Sequence, residues 1–108
     1  MIDIQAAADE IGISAEAYRR LCQLFLETME TDTARLREAL ETEQREEIRS
    51  RAHHIKGAAA NLEFTVLSLK AEEIQHAAYD KELEQLRSMA DSLFGEYNLI
   101  KAEFEETL

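Results

Sequence analysis

The sequence predicts an all-α protein, folded as an antiparallel four-helix bundle with a short N-terminal capping helix. The chain contains no proline and only three glycines, and strong helix formers such as Ala, Leu, Glu and Arg dominate its composition. Apolar residues recur at steps of three and four along four segments, and a bundle is the simplest way to bury four such stripes. Because 108 residues suffice for one core, we expect a single domain over residues 1–108.

The first two helices are predicted from their apolar positions and their caps. Residues 2–8 can form a short amphipathic helix that ends near Gly12, and Ser14 is a good N-cap for the next helix. We expect that helix to span residues 14–41, and a kink, if one occurs, to fall around residues 31–33. Its apolar face comprises Tyr18, Cys22, Phe25, Met29, Leu36 and Leu40.

Three more helices complete the predicted bundle. The first covers residues 44–62, the second is capped by Thr65, and the third covers residues 82–104 after a turn at residues 79–81. Their apolar stripes comprise Ile48, Ala52, Ile55, Ala59 and Leu62, then Leu67, Ala71, Ile74 and Ala78, then Leu83, Leu86, Ala90, Leu93, Tyr97, Ile100 and Phe104. We interpret Tyr79, Tyr97 and Phe104 as core or core-edge residues.

The charge of the chain restricts its partners and its location. A net charge of −11 repels phosphate backbones and anionic lipids, so we expect neither nucleic-acid nor membrane binding. The lone cysteine, Cys22, falls at an apolar position and is predicted to be buried. The acidic N-terminus is unlike a signal peptide, and no apolar run reaches membrane-span length, which together favour the cytoplasm. We expect a monomer, and complete first and last helices favour a stand-alone protein.

The predicted helix over residues 44–62 differs from the others because it carries a basic strip and two adjacent histidines. Four basic and two acidic side chains lie between Arg45 and Gly57, a local charge of +2 that suits an anion. On a wheel of ~100° per residue, His53 and His54 both point away from the apolar stripe. His53 shares its side with Arg49, Lys56 and Ala60, and with Ser50 a little further round, whereas His54 neighbours Glu47, Arg51 and Asn61. This geometry leaves both histidines as candidates.

Gly57 and the small residues after it suggest space for a macromolecule beside the histidines. Glycine inside a helix costs about 1 kcal/mol relative to alanine, so an outward-facing glycine needs a reason. Access to the imidazole is one reason, and a close helix–helix contact or neutral drift are the others. A solvent-facing histidine is a competent nucleophile for phosphorus, and Lys56, one turn from His53, can offset phosphate charge.

The segment from Ala52 to Leu62, AHHIKGAAANL, resembles the signature of histidine-containing phosphotransfer (HPt) domains: His, any residue, an aliphatic residue, Lys, Gly, then small residues. The resemblance implies that His53 is phosphorylated, that Lys56 is its charge partner, that Gly57 provides clearance and that His54 fills the variable position. It also implies a carrier without catalytic machinery or cofactor of its own. Its partners are a receiver domain, which brings Mg²⁺, and a histidine kinase. Arg49, Ser50 and Ala60 complete the predicted phosphate- and partner-binding surface.

One departure and two alternatives accompany this interpretation. Many HPt domains have a second glycine six residues after the first, where this chain has Glu63. We therefore expect a different helix exit, through Asn61 or a longer turn, and an altered partner surface. The first alternative is a non-catalytic adaptor that docks a receiver domain or kinase without accepting phosphate. The second, a metal enzyme using the histidines with Glu73 and His76, is disfavoured because no His-x-x-x-His pair exists.

Overall fold

The computed structural model describes residues 2–108, and within that range it contains five α-helices and no strand. The helices are α1 (Ile4–Ile11), α2 (Ala15–Glu41), α3 (Arg45–Asn61), α4 (Thr65–Ala77) and α5 (Leu83–Thr107). The predicted all-helical class is therefore confirmed. The molecule measures 42 × 22 × 18 Å, and its long axis matches the ~40 Å length expected of a 27-residue helix such as α2.

The first two helices begin and end at polar caps or glycine. Asp3 accepts a hydrogen bond from the backbone N–H of Ala6, so α1 starts two residues later than predicted and continues to Gly12. Gly12 takes φ +77°, a left-handed conformation that glycine adopts without steric cost. Ser14 accepts from the N–H of Ala17 at 3.1 Å, which confirms the predicted cap of α2. The helix is continuous through residues 31–33.

The apolar stripe of α3 lies at the centre of the molecule. Ile48, Ala52, Ile55 and Ala59 are all fully buried, as their helical spacing predicts. α3 packs against α2 on one side and α4 on the other, while α5 packs against α4 and α2, and α1 packs on α2. Arg45 anchors the start of α3, because its guanidinium donates to the carbonyls of Ala78 and Lys81 in the turn after α4. These bonds join the first turn of α3 to the turn after α4.

Four aromatic rings fill one end of the core. The centroid of Phe64 lies 5.2 Å from that of Phe25 and 5.6 Å from that of Phe104, and Tyr97 completes the cluster 6.3 Å from Phe25. Such tilted and edge-to-face pairs are stabilising beyond the area that they bury. Tyr97 and Phe104 are buried, as predicted.

Two local predictions are wrong. Thr65 does not cap α4 but is its first helical residue; Phe64 occupies the cap position without a side-chain cap because its ring packs into the aromatic cluster. Tyr79 is not a core-edge residue: it is 54% exposed in the turn after α4, where its hydroxyl donates to Glu46. Both predictions were based on residue type. The packing of the neighbouring turns decides which residue caps α4 and whether Tyr79 is buried.

Candidate functional site

His53 lies on the outer face of α3, opposite the buried stripe. Its side chain is exposed, and its Nδ1 atom lies 3.3 Å from the side-chain oxygen of Gln75 on α4. In the tautomer that carries its proton on Nδ1, His53 donates to this amide oxygen. The other ring nitrogen, Nε2, then carries the free lone pair. The side chain of His53 is thus oriented by a residue of α4.

Gln75 is the residue of this site that the sequence did not reveal. It is 22 positions from His53 and on another helix, so no motif connects the two. A wheel of α4 places Gln75 beside Ile74 of the buried stripe, on one flank of the helix. That flank faces α3, since Ser68 Oγ, from the same helix, donates to the carbonyl of Lys56 at 3.2 Å. Only the packing of α3 against α4 brings Gln75 to the imidazole.

Lys56 follows His53 by one turn and is held by α4. Its Nζ lies 3.4 Å from Glu72 Oε2, and its side chain is partly exposed. A partly exposed pair of this kind is weak, because water screens the charges. The ammonium can therefore exchange Glu72 for a more highly charged anion on the neighbouring imidazole. This position is compatible with the predicted charge-compensating role.

An open groove runs between α2 and α3 and reaches both histidines. It has a volume of about 470 Å³ and is lined by Leu21, Leu24, Phe25, Thr28, His53, His54, Gly57, Ala58, Asn61 and Leu62. We call it the α2–α3 groove. Leu24 is 57% exposed at its edge, and Leu21, also in the lining, is 41% exposed. A Cβ atom added to Gly57 would meet nothing within 4 Å, so this glycine is not explained by a close helix–helix contact.

His54 differs from His53 in what holds it. Its Nδ1 lies 2.5 Å from Oδ2 of Asp32, a carboxylate of α2 that is buried. Arg51 lies 3.6 Å from the other oxygen of Asp32 and also pairs with Glu47 at 2.9 Å. The helical wheel predicts Glu47 and Arg51 near His54, but it gives no sign of Asp32, which lies on another helix. The adjacent histidines are therefore oriented from opposite sides, by α4 and by α2.

The remaining predicted positions lie outside the groove. Arg49 and Ala60 are exposed and Ser50 is half-buried, and none of the three lines the α2–α3 groove. Their assignment to phosphate or partner binding remains a prediction. His76 is exposed in the last turn of α4. Across residues 2–108, no three His, Cys, Asp or Glu side chains are grouped so that they could hold a metal ion.

The imidazole of His53 is exposed, contacts Gln75 of α4 and borders the α2–α3 groove, which a macromolecule can enter. This arrangement is typical of a helical phosphocarrier. The family model described as the Hpt domain matches residues 20–107, and the chain belongs to this family. Hpt domains are phosphocarrier modules of two-component signalling that interact with receiver domains and histidine kinases in phosphorelays. No curated protein and no solved structure matches the chain. No helix within residues 2–108 is long and apolar enough to cross a membrane.

Proposed function

We propose that this protein is a phosphorelay intermediate that accepts a phosphoryl group on Nε2 of His53 and passes it to or from a receiver-domain aspartate. The observation that carries the proposal is the contact between His53 Nδ1 and Gln75, which leaves Nε2 as the outward nucleophile. In the transfer, an N–P bond forms as the O–P bond of the aspartyl phosphate breaks. The proton on Nδ1 stays in place, hydrogen-bonded to Gln75, and the carboxylate leaves without needing a proton.

The surroundings of His53 supply position and charge rather than covalent chemistry. Phosphoryl transfer depends mainly on alignment and on compensation of the charge on the equatorial oxygens. Lys56 provides one positive charge from the chain itself, at the cost of its weak contact with Glu72. The receiver domain brings the Mg²⁺ that completes the compensation, and the chain needs no cofactor of its own.

The α2–α3 groove is the proposed docking surface for the receiver domain. Leu21 and Leu24 give it an exposed apolar wall, and the absent side chain of Gly57 opens the approach to His53. Exposed apolar side chains that line one groove together are suited to binding a partner protein. Arg49, Ser50 and Ala60, outside the groove, form the proposed outer rim of the interface.

The proposed carrier is a cytoplasmic monomer whose helices α2–α5 form an antiparallel bundle, with α1 at one end. Three-residue connections join α2 to α3 and α3 to α4, and five residues join α4 to α5. Such short links favour antiparallel neighbours, and the contacts of α5 with both α4 and α2 close the bundle. We propose that residues 1–108 act as one domain.

A labelled receiver domain tests the proposal. The chain is mixed with a receiver domain carrying radioactive aspartyl phosphate, and the protein band is tested for acid-labile, alkali-stable label. We expect label on the natural chain and on His54→Gln, and none on His53→Gln. Label that disappears only in His54→Gln would show that His54 is phosphorylated instead of His53, and would contradict the proposal. Receiver binding without label on either histidine would instead identify an adaptor.

A further inference from the structure

Asp32 is an unusual residue for its position in the fold. Within residues 2–108 it is the one charged side chain that is buried, at 2% exposure, in the middle of α2. Burying a carboxylate is costly unless hydrogen bonds and opposite charge replace its water. His54 and Arg51 supply both, at 2.5 and 3.6 Å. An apolar residue would serve the core of α2 with no such cost, so the pairing calls for an explanation beyond stability.

The exposed part of His54 indicates what the pairing achieves. Although Nδ1 is tied to Asp32, 59% of the imidazole side chain is exposed, and the ring lines the α2–α3 groove. Nδ1 is occupied by Asp32, so Nε2 is the ring nitrogen left for a partner in the groove. Asp32 therefore fixes the direction of an exposed ring. His54 offers one ring nitrogen, Nε2, to whatever enters the groove.

The charges around His54 favour binding over phosphorylation. Its immediate partners include the carboxylate of Asp32, and Arg51, the nearest cation, is already paired with Asp32 and Glu47. A phosphoryl group on His54 would add negative charge beside these carboxylates, which is unfavourable at short range. On the other side of α3, His53 has Lys56 close by and a neutral amide behind it. The two histidines are thus suited to different roles.

We propose that Asp32 and His54 form a docking pair: Asp32 is a positioning residue that orients His54, and Nε2 of His54 forms a hydrogen bond with the receiver domain in the α2–α3 groove. The partner group is a polar side chain or backbone group of the receiver domain that enters the groove. The pair sets the affinity of the encounter, while His53 performs the transfer. This inference rests on the proposed phosphorelay function, whose partner and docking surface it specifies further.

Two substitutions of His54 separate docking from structural support. His54→Asn retains an amide that can reach Asp32 but removes every atom at the Nε2 position. His54→Gln places an amide near the Nε2 position but gives up the bond to Asp32. If His54 acts toward the receiver, His54→Asn raises the KM for phosphorylated receiver about three- to tenfold, the effect of one hydrogen bond, and leaves kcat unchanged. His54→Gln has a smaller effect on KM.

Asp32→Leu and a matched histidine control complete the experiment. Asp32→Leu removes the group that holds Nδ1, so it should raise KM as much as His54→Asn does, and the double variant no more than either, because both changes disable one element. His76→Asn alters an exposed histidine that does not line the groove and should leave KM unchanged. Thermal unfolding of each variant reports any loss of fold.

The dissociation constant for unphosphorylated receiver, measured by calorimetry, separates this inference from the proposed function. If the natural chain binds receiver but takes no label, the phosphorelay function is contradicted. If His54→Asn then binds receiver more weakly than the natural chain does, the docking pair is still supported. Natural KM and affinity in His54→Asn, with or without a lower melting temperature, would overturn the docking pair and leave His53 chemistry intact. Label on His54 itself would also overturn it.

Discussion

The side-chain oxygen of Gln75 lies 3.3 Å from Nδ1 of His53, and the two residues belong to neighbouring helices. The contact is made by an uncharged group, so it orients the ring without attracting a second cation or repelling a phosphoryl group. In the proposed transfer, the proton on Nδ1 stays in place throughout, because the reaction takes place at Nε2. The contact between α3 and α4 is therefore proposed to determine which nitrogen reacts.

Replacing Gln75 should slow transfer without moving the phosphorylation site. In Gln75→Leu the imidazole loses its acceptor and populates the other tautomer and other rotamers, so we expect the single-turnover rate from phosphorylated receiver to fall about tenfold, the effect of one lost hydrogen bond. Glu73→Ala, an exposed change on the same helix, is the control and should keep the natural rate. An unchanged rate in Gln75→Leu at saturating receiver would show that the contact does not orient the nucleophile.

The pair between Lys56 and Glu72 predicts opposite effects of two substitutions. Lys56→Gln removes a positive charge near the phosphoryl group, so the phosphorylated fraction at equilibrium with receiver should fall, by about threefold for a partly exposed charge. Glu72→Gln frees Lys56 from its partner at 3.4 Å and should raise that fraction. Quantifying labelled chain at fixed receiver concentration measures both. Changes in the same direction would contradict the exchange of Glu72 for phosphate.

Replacing Gly57 by alanine should stabilise the fold and hinder the approach of the receiver domain. A methyl group at residue 57 meets nothing within 4 Å, so Gly57→Ala should raise the free energy of unfolding by about 1 kcal/mol through helix propensity alone. The same methyl projects into the α2–α3 groove and should raise KM for the receiver. Gly95→Ala is a matched control, because that glycine is also helical and unobstructed but lies on α5, outside the groove. Gly95→Ala should show the same gain in the free energy of unfolding and keep the natural KM.

Equal transfer kinetics in Gly57→Ala and Gly95→Ala would contradict the idea that Gly57 provides clearance for the receiver domain.

Two buried tyrosines predict a loss of stability in alkali. Burial raises the pKa of Tyr18 to about 12, and burial with the hydrogen bond to Glu30 raises the pKa of Tyr97. In the unfolded chain both phenols ionise near pH 10, so above about that pH the unfolded state loses protons that the folded state retains. The contribution of these two phenols to the free energy of unfolding is therefore constant below about pH 10 and falls as the pH rises toward 12. Urea unfolding across this range should show a shallower fall in Tyr18→Phe than in the natural chain. Identical slopes would contradict the assignment.

The sequence predicts positions along one helix well and contacts between helices poorly. The stripe of α3 was correct because helical period alone decides which side of a helix is buried. Gln75 and Asp32, which hold the two histidines, were missed because each lies on another helix and only packing brings it within hydrogen-bond distance. An aspartate at a position of the apolar pattern of α2 is a signal that the sequence does contain. A charge at such a position needs a partner, so Asp32 indicates that another helix supplies one.

Glu63, the departure from the family pattern, does not change the helix exit as expected. Its φ of 61° is left-handed, its N–H donates to the carbonyl of Ala60, and the N–H of Phe64 donates to that of Ala59. These two bonds define the Schellman ending in which glycine is usual. The backbone at residue 63 therefore has the left-handed conformation that the family's glycine would adopt there. Glu63 adopts the same conformation although it has a side chain.

Glu63→Gly should consequently stabilise the protein without altering its function. A left-handed L-residue carries about 1 kcal/mol of strain, and its removal should raise the melting temperature by about 5 °C in a chain of this size. Glu63→Ala keeps the Cβ and should gain little, which separates strain from loss of the carboxylate. Glu43, at φ 56° after α2, should respond to glycine in the same way. Because the backbone path is already that of a glycine exit, transfer from the receiver should keep its natural rate. A stability gain in Glu63→Ala equal to that in Glu63→Gly would assign the cost to charge rather than to backbone conformation.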